Sequence, residues 1–169
     1  SPIRMQRRVM LKIRKAVLKD ANTLAEMAAA LNAHFGIDEP PFDGTVILPL
    51  MQGDDPLVFG YLAEDAMGKP VGYALCQRFF DTDTGTLATW LLDIFIVEDH
   101  RGGGLGRRML ARIAADAKQK GQRCIGLAAY QSNPARRLYE RIGAALPENA
   151  LVYELRDEKL DRLAQEAQI

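Results

Sequence analysis

Cysteine is scarce in this 169-residue chain: only Cys76 and Cys124 occur, with no second pair and no histidine close enough in sequence to complete a ligand set. That excludes a disulfide framework and a Cys/His zinc site, and no metal is expected. Both stand in apolar, strand-like runs, so they read as reduced core residues of a cytoplasmic protein. The formal net charge is zero and aromatics make up 7% of the residues, with a single tryptophan. Without a basic excess or basic residues interleaved with aromatics, nucleic acid is not an expected partner. No run approaches the roughly 18 apolar residues of a membrane span, so no membrane partner is expected either. Six cations fall in the first fifteen residues (Arg4, Arg7, Arg8, Lys12, Arg14, Lys15), but no apolar block follows, so they do not form a secretory signal. Residues 1–8 read as an expression remnant or a loose arm.

What is present is a chain with 48% hydrophobic and 26% charged residues, the composition of one ordinary globular domain over residues 1–169. Its charge is unevenly spread. Residues 38–100 hold twelve Asp/Glu against two Lys/Arg, and residues 101–141 hold ten Lys/Arg against two Asp/Glu. The basic block suits a polyanion and the acidic block a cationic partner, unless the two cancel in space as solvated faces.

Along the chain, "VMLKIRKAVL" reads as a first strand. "DANTLAEMAAALNAHFG" reads as a helix capped by Asp20 or Asn22 and stopped near Gly36. "IDEPPFDG" is a loop, and "TVILPLMQG" is either a short helix broken at Pro49 or irregular. "PLVFGYLAED" and "KPVGYALCQRFF" form a hairpin around Met67 and Gly68, and "DTDTG" turns into the long strand "TLATWLLDIFIVE". Leu105, Met109, Leu110, Ile113, Ala114 and Ala117 then fall on one helical face that Gly121 ends. "RCIGLAAY" reads as a buried strand, "SNPARRLYERIG" as a short helix, "ALVYELR" as a final strand, and residues 157–169 as a tail that can form one more helix. The order predicts an α/β sheet with antiparallel middle strands and one parallel strand-helix-strand crossover.

Within "DIFIVEDHRGGGLGRRML", Gly102, Gly103, Gly104 and Gly106 stand where a helix begins. Four glycines weaken local order unless bare backbone is needed there. A helix start offers about four unpaired amides and the positive end of a dipole, which phosphate oxygens can reach when no Cβ intervenes. A P-loop needs Gly-Lys-Ser/Thr, but Gly106 is followed by Arg107 and Arg108. A dinucleotide fingerprint begun at Gly102 or Gly104 ends on Arg107 or Met109 in place of glycine.

The pattern Arg101-x-x-Gly104-x-Gly106, between a strand and a helix, resembles the acyl-CoA loop of the GNAT superfamily of N-acyltransferases. "DIFIVEDHR" is similar to that family's fourth strand and its exit, and "NPARRLYERIGA" to a later family helix. The resemblance covers about residues 10–155 and implies a mixed, mostly antiparallel sheet with helices on both faces. It further implies acetyl-CoA as cosubstrate, with the pyrophosphate on Arg101, Gly102, Gly103, Gly104, Leu105, Gly106 and Arg107, and the pantetheine arm along Ile94, Phe95 and Ile96. Tyr139 lies where the family has a tyrosine that protonates the departing thiolate, a donor whose pKa near 10 suits that task. Seven residues before it, where the family commonly has asparagine, stands Ser132; Asn133 is one place later, and either can contact CoA. Both are also ordinary helix caps. Asp93, a carboxylate embedded in the apolar run that leads to the loop, is the candidate base or substrate anchor. His34 and His100 are weaker candidates.

The run "LLDIFIVEDHRGGGLG" and the ending "YERIGA" look like the diamine acetyltransferase branch, although Leu92 stands where that branch often has glutamate. The expected function is acetyl transfer from acetyl-CoA to a primary amine (a small amine, a polyamine or an amino-acid-like acceptor) by direct attack in a ternary complex. A non-catalytic acyl-CoA sensor and another kind of nucleotide-binding domain are the rivals. A homodimer is implied by the resemblance, through the final strand and the tail.

Overall fold

Five strands follow the apolar runs of the sequence in this computed structural model, which describes residues 11–167. The arm expected at residues 1–8 lies outside the described residues. The strands β1 (Lys12–Lys15), β2 (Val58–Glu64), β3 (Pro70–Asp81), β4 (Thr86–Ile96) and β5 (Ile125–Leu127) make one sheet in the order β1-β2-β3-β4-β5. β1 to β4 pair antiparallel, and β5 runs parallel to β4. The β2–β3 hairpin turns where expected. The Asp65 carboxylate accepts from the amides of Met67 and Lys69, and Gly68 takes the left-handed backbone at φ +78°.

Successive residues of a strand point to opposite faces, and here each face is covered. On one side α1 (Ala21–His34) and α2 (Gly44–Ile47) lie over the sheet, where Leu24, Met27 and Ala28 of α1 pack on Leu62, Tyr73 and Leu75. On the other, α3 (Leu105–Gln119) places Leu105, Met109, Leu110 and Ile113 on Tyr61, Ala74, Cys76 and Leu91. Leu138 and Tyr139 of α4 (Arg136–Arg141) join that second core. The mixed, mostly antiparallel sheet with helices on both faces is therefore the observed architecture. Cys76 is buried on β3, where burial pushes its thiol up to about 12; it and Cys124 are free. No helix among the described residues is long and apolar enough to cross a membrane.

Several sequence expectations need correction. Asp20 precedes α1 but its side chain does not cap it. Instead its carboxylate accepts from both terminal nitrogens of Arg14, at 2.7 and 2.9 Å, and from the Val17 amide at 2.7 Å. Arg14 also reaches Glu64. The stretch "TVILPLMQG" resolves into α2 followed by a 3-10 turn, Leu48–Met51, with Pro49 in its first turn. The two later elements shrink to the three residues of β5 and the six of α4. The strand expected in "ALVYELR" does not form: Leu151, Val152 and Tyr153 are 74–86% exposed, and the chain goes on to α5 (Asp157–Gln165). β-branched residues favour a strand only where a neighbouring strand receives them.

The Arg14–Asp20 pair yields a stability prediction. Arg14 beside it holds the Asp20 carboxyl below its usual range, opposing the effect of burial. A carboxylate with a lowered folded pKa stabilises above its unfolded pKa, about 4, and that stabilisation is lost as pH falls through the lower folded value. Replacing Asp20 by Asn leaves Arg14 with fewer partners in a half-buried place and should cost about 2 kcal/mol at pH 7. Urea unfolding at pH 7 and pH 3 checks both statements, with the gap between variant and parent narrowing at the lower pH.

Candidate active site

The site takes its form from one irregularity in β4. Leu75 of β3 faces Asp93 and Cys76 faces Leu91, so Leu92 is an extra residue with no β3 partner. Such a bulge shifts all later side chains to the other face. Leu91 accordingly packs on the α3 face, while Phe95, four residues on, packs on the α1 face. Asp93 falls on the α1 face with Phe95, beside Tyr73 of β3. The Tyr73 hydroxyl donates to Asp93 Oδ2 at 2.7 Å.

The same irregularity opens the sheet. β5 pairs with β4 only from Thr89 to Leu91, so past the bulge β4 keeps β3 on one side and, among the described residues, has no strand on the other. The Val97 amide donates to the Val71 carbonyl, which makes Gly72–Ile96 and Ala74–Ile94 the non-hydrogen-bonded pairs of the ladder. The peptide groups of Ile94 and Ile96 therefore face the open edge. Those of Phe95 are turned to β3, so of the three residues expected to meet the pantetheine arm only two offer main-chain groups to it. Arg101 lies back along this edge, its Nε donating to the Ile96 carbonyl at 2.7 Å and its guanidinium over the Phe95 ring.

After the 3-10 turn Glu98–His100 the chain reaches the glycines, and α3 begins at Leu105 with Gly104 as its cap. The expected reason, bare backbone throughout, divides into several. Gly102 and Gly104 have φ of +75° and +81°, which side chains with a Cβ rarely adopt. A Cβ on Gly106 would stand 3.1 Å from Leu138, so that glycine lets α4 approach α3. The first helical bond runs from the Arg108 amide to the Gly104 carbonyl, and the amides of Leu105, Gly106 and Arg107 precede it at the positive end of the helix. The Leu105 side chain is in the core, so only its main chain can serve a ligand. An extended edge with outward amides, leading to a left-handed turn and a helix start, fits a pantetheine arm followed by a diphosphate.

Tyr139 is half-buried, packed against the core that α3 makes with the sheet. Burial, and then the negative charge of Asp93, push its hydroxyl above the ordinary phenol range. The charge of Asp93 on β4 thus reaches Tyr139 on α4, although the two are distant in sequence. Asn133 Oδ1 accepts from the Ala135 amide two residues on, in the turn ahead of α4, whose cap is Ala135, while Ser132 is exposed. His34, at the end of α1, lies with its ring 6.0 Å from that of Phe95, on the Asp93 side of the sheet; His100 belongs to the 3-10 turn. Sequence reasoning missed Tyr73, because nothing in "KPVGYALCQRFF" marks one tyrosine as lying beside a carboxylate twenty residues later.

Known proteins resemble this chain in sequence and in fold. The model of the acetyltransferase (GNAT) family matches residues 24–144. Over 73 residues the chain is 36% identical to the ribosomal protein bS18-alanine N-acetyltransferase of Haemophilus influenzae, a match covering 43% of this chain and 46% of that relative. An integron cassette protein from the mobile metagenome of V. cholerae superposes with a TM-score of 0.76 at 19% identity, over 92% of this chain and 98% of that one. A predicted acetyltransferase of Clostridium acetobutylicum solved with acetyl-CoA gives 0.72 at 21% identity, over 86% and 97%.

Proposed function

The chain belongs to the GNAT acetyltransferase family, and on that premise we propose that it moves an acetyl group from acetyl-CoA to a primary amine within a ternary complex. The observation that carries this reading is the unpaired edge of β4 running into the start of α3. Ile94 and Ile96 would pair with the pantetheine amides. The main chain of residues 102–107 would hold the pyrophosphate, with Arg107 and a re-aimed Arg101 adding charge and the Ser132 hydroxyl, rather than the spent Asn133, adding a contact.

The acceptor ammonium must lose a proton before its nitrogen attacks the thioester carbonyl. The Asp93 carboxylate takes that proton, directly or through water. As the C–S bond breaks, the Tyr139 phenol gives its proton to the sulfur, and the second amine proton, lost from the tetrahedral adduct, passes through water to the Tyr139 phenolate. Because Tyr139 is shifted upward, it holds this proton at neutral pH.

For the acceptor, the relative named above is an alanine N-acetyltransferase, whereas the sequence motifs look like the diamine branch. With Leu92 bulged out of the strand where that branch has glutamate, a peptide or amino-acid α-amine stands beside a polyamine as the acceptor to be tested. A homodimer in the cytoplasm remains part of this reading, supported by the exposed Leu151, Val152 and Tyr153, which a second copy would cover.

The test has two parts. Acetyl-CoA at about a hundred times its Kd should stabilise the fold by about 2.7 kcal/mol, a rise in Tm on the order of 5–10 °C. Thiol release should then appear with at least one of alanine-starting peptides, polyamines, aminoglycosides or amino acids. Stabilisation without turnover on the whole panel would favour the acyl-CoA sensor; no stabilisation would defeat the reading.

A further inference from the structure

We propose that Tyr73 is a positioning residue for acetyl transfer, its buried hydroxyl clamping Asp93 Oδ2 so that the other carboxylate oxygen is left for the acceptor amine or its water. The inference rests on the role given above to Asp93.

Tyr73 is fully buried on β3, opposite Phe95 and diagonal to Asp93, in a core made with Leu24, Met27, Leu62 and Leu75. A phenol in such surroundings needs an acceptor, and none of those neighbours has a polar side chain. Its one side-chain partner is the 2.7 Å bond to Asp93. The bulge sets the face on which Asp93 lies, and the bond from Tyr73 decides where its oxygens point on that face. Among the described residues nothing bonds Oδ1. Burial and the adjacent carboxylate push the Tyr73 hydroxyl upward, so it stays a donor throughout the neutral range. A phenylalanine would fill the same space, so packing alone does not account for the hydroxyl.

The protein contains its own control. Tyr61 of β2 is equally buried and donates at the same 2.7 Å to Asp116 Oδ2, in the last turn of α3 on the opposite face of the sheet. Tyr61→Phe and Tyr73→Phe therefore each delete one buried tyrosine–aspartate bond. If Tyr73 only stabilises the fold, both variants lose similar stability and keep similar kcat. If it positions Asp93, Tyr73→Phe alone should lower kcat roughly tenfold to a hundredfold, as misplacement of a reacting group by about 1 Å does. KM for acetyl-CoA should stay within about twofold in both.

The double variant Tyr73→Phe/Asp93→Asn should be no slower than Asp93→Asn, because Tyr73 acts through the carboxylate. Multiplying effects, or equal kcat for the two tyrosine variants, would overturn the inference while leaving the function intact. Asp93→Asn at the parent rate would instead remove the role of Asp93 itself. Should Tyr73→Phe fail to fold, the unaltered protein still decides: its NMR spectrum should show a slowly exchanging Tyr73 hydroxyl proton that shifts in Asp93→Asn. A rapidly exchanging hydroxyl would end the proposal.

Discussion

A Gly104→Val chain is expected to lose at least about a hundredfold in acetyl-CoA affinity while remaining folded. Gly104 sits at φ +81° as the residue from which α3 starts, a conformation in which a β-branched side chain is strained. The strain amounts to about 1–3 kcal/mol, which a domain stable by roughly 5–15 kcal/mol survives. The loop relieves it by turning away from the left-handed conformation, and the amides of Leu105, Gly106 and Arg107 then no longer share a direction. Each amide-to-phosphate bond is worth about 1.5–3 kcal/mol, so the loss of two accounts for a hundredfold or more. Calorimetric titration with acetyl-CoA measures the affinity, and circular dichroism checks the fold. Unchanged affinity would mean that this turn does not hold the diphosphate, and the functional reading would go with it.

Tyr139→Phe should do the opposite, sparing the complex and slowing the reaction. The phenol packs its ring against the α3 core, and phenylalanine keeps that packing, so acetyl-CoA affinity should change by no more than about twofold. Removing a general acid costs 10²–10⁴-fold in typical cases, and about 10²–10³-fold in kcat is expected here because water can replace part of the donor. Burial together with the Asp93 charge raises the Tyr139 pKa, so the parent enzyme should show no loss of turnover from its ionisation below about pH 10. Steady-state kinetics on both proteins from pH 6 to 10 reads out each statement. Equal kcat for variant and parent across that range would remove Tyr139 from the mechanism.

The elements were legible where a periodic pattern met its turn residues. Leu105, Met109, Leu110 and Ile113 foretold both α3 and the face it buries, and the Asp65–Lys69 turn was marked by Gly68. Legibility failed where a pattern lacked a partner. "ALVYELR" has strand composition, yet β5 has only three residues and no strand receives it, so its apolar side chains stay exposed. Asp20 looked like a cap because caps are local, but the distant Arg14–Glu64 cluster offered its carboxylate a better partner.

From the sequence alone came the family resemblance, the strand-glycine-helix unit and the residues that surround it, because a helix start with little side chain is a local device written in consecutive letters. Tertiary structure decided what those residues face. One unpaired residue, Leu92, turns Asp93 away from the face of Leu91 and toward Tyr73, and the departure of β5 after Leu127 frees the peptide groups of Ile94 and Ile96. Register and strand divergence depend on neighbours far along the chain, so no local pattern in β4 could announce them.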